Sequence, residues 1–132
     1  MYRWVEHTAE IELLIEEEDE ASVFATATRA IGELLGADED SHAAAEAHLS
    51  ETAKDRPAPL AAWIEELVYL AEVDGLIPLR ATRIDASEHA VEAEVDFARG
   101  DPPHLIKAVT YHRLTFHRHW DQTWHATVIL DV

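Results

Sequence analysis

Residues 90–97 alternate without a break: Val91, Ala93, Val95 and Phe97 on one side, Glu92, Glu94 and Asp96 on the other. Successive side chains of an extended strand point to opposite faces, so this pattern makes one face dry and the other wet. A strand of that kind is half-buried and antiparallel. It needs partner strands and an apolar layer over its dry face. The rest of the chain must supply both.

Further strands are expected over Tyr2–Val5, Ile11–Ile15, Leu76–Ile84, Leu105–Phe116 and Trp124–Val132, where β-branched and aromatic residues gather in short runs. His7–Thr8–Ala9–Glu10 interrupts the first two. A turn at Ala86–Ser87–Glu88 and a loop at Gly100–Asp101–Pro102–Pro103 separate others, and His117 to Thr123 joins the last pair.

The covering layer comes from two helices. The first spans Ala21 to Leu35, where Val23, Ala27, Ala30, Ile31, Leu34 and Leu35 recur at helical spacing, with Phe24 on the flank. Asp19 suits its N-cap and Gly36 its C-terminal stop. Gly32 costs about 1 kcal/mol relative to alanine inside a helix, so close packing against the sheet is its expected reason. The second helix spans Pro59 to Val73 and buries Leu60, Trp63, Ile64, Leu67 and Leu70–Ala71, with Asp74–Gly75 closing it. Pro57 and Pro59 fit its first turn. Between the helices, Asp38 to Arg56 favours helix by propensity but lacks an apolar face, so helix and edge strand both stay open. The economical architecture is α+β: a two-layer sandwich of two helices packed on a mostly antiparallel sheet. At 132 residues a single domain, 1–132, is expected.

Composition narrows the chemistry. With no cysteine, any metal must be held by oxygen or imidazole. The net charge of −17, from 27 acids against 10 bases, repels nucleic-acid phosphate and permits a basic partner protein. Many carboxylates, much alanine and only two lysines also suit a high-salt cytoplasm, where screening is strong. No signal-like N-terminal segment and no bilayer-length apolar run is present, which leads to the expectation of a soluble, cytoplasmic protein with no membrane partner.

No glycine-rich phosphate loop, nucleophile elbow or His-Glu-x-x-His helix occurs. Of nine histidines, His112, His117, His119 and His125 gather near the last hairpin. His117 and His119 share a strand face at workable ligand spacing, although strand histidines are usually plain surface or core residues. Asp131 takes the strand face opposite Val128 and Leu130, beside the carboxylate of Val132. Two such groups repel unless a cation or proton intervenes, and a hard divalent ion such as Ca²⁺ or Mg²⁺ is the natural partner. A frayed, solvated terminus is the plainer alternative. Lys107, in the apolar run Ile106–His112, can pair with a carboxylate, reach a phosphate or snorkel to solvent.

Over essentially its full length the chain resembles archease. The matching pieces, in order, are Val5–Glu6–His7–Thr8–Ala9–Glu10, Ala62–Trp63–Ile64–Glu65–Glu66–Leu67–Val68–Tyr69–Leu70, and Asp74–Gly75–Leu76. Then follow Lys107–Ala108–Val109–Thr110–Tyr111–His112, the most specific run, and the closing Val128–Ile129–Leu130–Asp131–Val132. The resemblance implies an accessory protein of the RtcB-type tRNA-splicing RNA ligase. That ligase joins 3′-phosphate or cyclic-phosphate ends to 5′-hydroxyl ends after attaching GMP to its own histidine with a divalent metal. Archease-like proteins promote the guanylylation and multiple turnover. They are not themselves ligases, so RNA is met only through the ligase.

The resemblance also implies the site. Its metal residues fall on Glu10, Asp131 and the final Val132, and its activating lysine on Lys107. His7 and His112, inside the matching motifs, join Lys107 as activation or partner residues. The implied ion is Ca²⁺, with Mg²⁺ or Mn²⁺ possible. The family usually has aspartate where this chain has Glu10, and the extra methylene bears on which metal is bound and how tightly. The resemblance further implies a strand over Ala43–Ser50; a monomer or weak oligomer is expected. Two rival readings stand beside it: an acidic chaperone or interaction module without a metal, and a small hydrolase using the hairpin histidines. The latter has no ordered nucleophile–base pair.

Overall fold

A computed structural model describes residues 1–103 and 106–132. The elements in chain order are β1 Tyr2–His7, β2 Glu10–Glu17, α1 Glu20–Leu34, β3 Ala45–Thr52, α2 Ala58–Asp74, β4 Leu76–Ala86, β5 Ala90–Arg99, β6 Ala108–Arg118 and β7 Trp124–Asp131. Leu105, the expected start of the sixth strand, lies outside the described residues.

The architecture is α+β, but the strands divide between two sheets. One has four strands in the order β1-β2-β7-β6, the other three in the order β3-β5-β4, and every pairing is antiparallel. Each helix contacts strands of both sheets: α1 meets β2, β7 and β4, and α2 meets β6, β3, β4 and β5. The helices therefore bridge the sheets, and one apolar core serves both.

The open segment resolves into β3, paired to the alternating strand β5. Ala45, Ala47 and Leu49 lie opposite Phe97, Val95 and Ala93, while Glu46 and His48 lie opposite Asp96 and Glu94 on the wet face. β5 had to find neighbours for its dry face, and this need overrides the helix propensity of the alanine-rich run.

Both helices end as expected. The Asp19 carboxylate accepts the Ser22 N–H at 2.7 Å, satisfying an orphan donor of α1. Gly75 closes α2 at φ 66°, its N–H donating to the Ala71 carbonyl at 3.1 Å. Where the core crosses from layer to layer it is aromatic. Phe24 meets Trp63 and Phe116 edge-on at 6.1 and 5.8 Å, and Phe116 meets Trp124 at 5.6 Å. Thr28, the one fully buried polar residue among the described residues, accepts the Trp63 indole N–H at 2.9 Å and donates to the Phe24 carbonyl at 2.8 Å. No helix among the described residues is long and apolar enough to cross a membrane.

Gly32 has a physical explanation. A β-carbon there would run into the carbonyl oxygen of Pro78 in β4. Gly32→Ala gains helix propensity but must push a backbone carbonyl aside. The expected net cost is roughly 1–3 kcal/mol, read as a lower urea midpoint at unchanged slope.

Candidate cation site at the end of the four-stranded sheet

β1 and β2 are joined by a tight turn at Thr8–Ala9, with Ala9 at φ 60° and His7 paired with Glu10. A left-handed alanine costs roughly 1 kcal/mol, a strain held in place by the paired strands on either side. Glu10 lies directly opposite Asp131 of β7, and Asp131 directly opposite Ala108 of β6. His7, Glu10, Asp131 and Ala108 thus form one row across the end of the sheet. Directly opposed residues of antiparallel strands share a face. Here that face carries Asp131, away from the core residues Val128 and Leu130.

The end of the chain is tied from both sides. The Val132 N–H donates to the Ala9 carbonyl at 3.1 Å, and the Lys107 N–H donates to the Asp131 carbonyl at 2.8 Å. The Lys107 side chain is exposed. Together with Glu6, His7, Glu10 and Val132 it lines an open cleft of about 490 Å³, and Asp131 is not part of that wall. His7 turns its Nε2 to Glu12 Oε1 at 3.0 Å.

Like charges placed directly opposite on a sheet destabilise it. Glu10 and Asp131 are such a pair, and hard oxygen donors of this kind suit Ca²⁺ or Mg²⁺. Among the described residues Asp131 makes no ion pair. Glu10 has one, with Arg113 Nη2 at 3.3 Å from its Oε2. Both partners are substantially exposed, so the pair contributes only about 0.2–1 kcal/mol.

Arg113 is the site residue that reading the sequence misses. It follows the Lys-Ala-Val-Thr-Tyr-His run by one position, and only an irregularity in β6 brings it to Glu10. Thr110 is opposite Ile129 and Thr115 opposite Thr127, so β6 takes five steps where β7 takes two, and three residues bulge out. Arg113 sits in that bulge at φ 60°. His112 rides on it too, exposed, its N–H donating to Thr110 Oγ1 at 3.1 Å, and does not line the cleft. Neighbouring Tyr111 has its phenol pushed up by partial burial and by the Glu65 carboxylate of α2. The bulge thus spans from α2 to the end of the sheet. Of the other hairpin histidines, His117, His119 and His125 come together at the opposite end of β7.

The family model described as Archease protein family (MTH1598/TM1083) matches residues 2–132. Protein archease of Methanosarcina mazei is 29% identical over 140 residues, an alignment covering 99% of this chain and 95% of that protein. Protein archease of Methanosarcina acetivorans is 28% identical over the same length and coverage. The solution structure of Methanobacterium thermoautotrophicum protein 1598 superposes with a TM-score of 0.74 at 24% identity, covering 99% of this chain and 98% of that one. The crystal structure of an archease from Thermotoga maritima, described as a possible chaperone, superposes with a TM-score of 0.69 at 22% identity, covering 100% and 98%. Those two structures bear on the fold, and it is the family model, matched over nearly every residue, that decides membership: this chain belongs to the archease family.

Proposed function

We propose that this chain activates an RtcB-type tRNA-splicing RNA ligase by promoting its guanylylation, and that Glu10, Asp131 and the Val132 carboxylate hold one divalent cation for that task. The observation that carries the reading is the direct opposition of Glu10 and Asp131 on one sheet face. Such a placement costs stability unless positive charge is supplied. Ca²⁺ is the first choice, because it accepts the variable carboxylate geometry that Glu10 brings, with Mg²⁺ or Mn²⁺ as alternatives. Arg113, which neutralises Glu10 from the bulge, gives way when the ion is bound.

The chain is an activator and not itself a ligase. It works in the cytoplasm and meets RNA only through its partner. The bound ion supplies Lewis-acid charge at the end of the sheet. The residues around it do the docking. Lys107, on the cleft wall with His7, meets ligase carboxylate or phosphate, and His112, exposed on the β6 bulge outside the cleft, offers a further partner contact.

The test is ligase guanylylation measured with added wild-type, Asp131→Ala or Lys107→Ala protein. Both substitutions are expected to reduce stimulation at least about tenfold, a loss of roughly 1.4 kcal/mol, while leaving urea unfolding near wild type. Full stimulation by both variants sinks the reading. The second reading, an acidic chaperone or interaction module, is favoured by the −17 net charge. It expects salt-sensitive binding to several unrelated basic proteins, unaffected by chelator.

A further inference from the structure

At the far end of β7, six residues and about 20 Å from Asp131, the β6–β7 hairpin gathers a different donor set. His119, Asp121 and His125 each bring a ligand atom within 4.8 Å of the other two. The turn itself builds this arrangement. The His119 N–H donates to the Thr123 carbonyl at 2.7 Å, and the Gln122 N–H donates to the His119 carbonyl at 3.0 Å. The Thr123 N–H and hydroxyl both donate to Asp121 Oδ1, at 3.0 and 2.6 Å. Asp121, itself exposed, is thereby held beside the two imidazoles.

The imidazoles are also aligned. The His119 ring stacks on His125 with centroids 3.4 Å apart and on His117 at 4.9 Å. The stack holds the three imidazoles side by side on one patch of the hairpin. His125 lies opposite Glu16 of β2, and its Nε2 is 3.2 Å from Glu16 Oε1. A carboxylate in that position orients a ligating imidazole or serves as a fourth donor.

From this geometry we infer that the β6–β7 hairpin holds a borderline divalent transition-metal ion, Zn²⁺ foremost, on His119, Asp121 and His125. Two imidazoles and one carboxylate are a donor set that selects Zn²⁺ and its neighbours over Ca²⁺ or Mg²⁺. The ligands proposed at the opposite end of the same sheet, Glu10, Asp131 and Val132, are all oxygen donors, so the two sets favour different ions. The hairpin site does not depend on the reading of the Glu10–Asp131 end. Trp120, 90% exposed between two of the ligands, marks the hairpin as open to titration from solvent.

The experiment titrates Zn²⁺ calorimetrically into wild-type protein, the His119→Ala/His125→Ala double variant and Asp131→Ala, with Co²⁺ absorption as the ligand-field readout. Expected are one Zn²⁺ site in wild type, unchanged in Asp131→Ala, and at least about 100-fold weakening in the double variant. Ca²⁺ in excess is expected not to displace Co²⁺. The side chains involved are at the surface, so the double variant is expected to keep the wild-type circular dichroism spectrum. Equal Zn²⁺ affinity in the double variant overturns the proposal. So does a wild-type affinity no better than that of free imidazole, or loss of Zn²⁺ binding in Asp131→Ala alone.

Discussion

Trp63→Ala is expected to destabilise the fold by roughly 3–5 kcal/mol, the usual cost of removing a buried large aromatic side chain. Trp63 is fully buried on α2, meets Phe24 of α1 edge-on at 6.1 Å, and donates its indole N–H to Thr28. Truncation empties the junction between the helices, and the surrounding sheets can collapse into that space only in part. Against a typical total of about 5–15 kcal/mol, the loss brings unfolding close to ambient conditions. Thr28→Val separates the polar contribution. It keeps the volume and leaves the indole N–H unpaired, for an expected cost of roughly 1–3 kcal/mol. Urea unfolding monitored by circular dichroism reads both values. A loss below about 1 kcal/mol for Trp63→Ala would show that the aromatic junction does not hold the layers together.

Asp131→Asn is expected to uncouple the stability of the protein from divalent ions. In wild type, an ion that binds only the folded state stabilises it by about 2.7 kcal/mol at a free concentration 100 times its Kd. Asp131→Asn removes one of two opposed charges. The metal-free variant is therefore expected to be as stable as wild type or up to about 1 kcal/mol more so, because the cross-strand repulsion is gone. Its thermal midpoint is then expected to stay constant as Ca²⁺ is added, while that of wild type rises. A variant that still gains stability from Ca²⁺ in step with wild type would mean that the ion binds elsewhere.

How much of this was legible in the sequence varies with the range of the interactions. The strict alternation of β5 and the stripes of α1 and α2 are local patterns, and the structure follows them, caps included. β3 was not legible from its own residues, since its alanines favour helix and only pairing with β5 decides otherwise. The division into two sheets is likewise a long-range outcome, set by how the two helices bridge the strands. Glu10 and Asp131 were singled out by their places in matched motifs, and the structure puts them opposite one another. Arg113 escaped because three residues of bulge, invisible in periodicity, carry it across to Glu10. His112 lies in the most specific motif, yet the same bulge lifts it away from the cleft. The hairpin histidines showed workable spacing, but Asp121 joins them only through the hydrogen bonds of the turn.

The proposed grip of both strand ends on one ion is tested most directly by anomalous scattering from crystals grown with Mn²⁺ in place of Ca²⁺. The prediction is a single strong peak between the Glu10 and Asp131 carboxylates, with the Arg113 guanidinium moved off Glu10. A map without density there, with Arg113 still seated on Glu10 at saturating Mn²⁺, would contradict it.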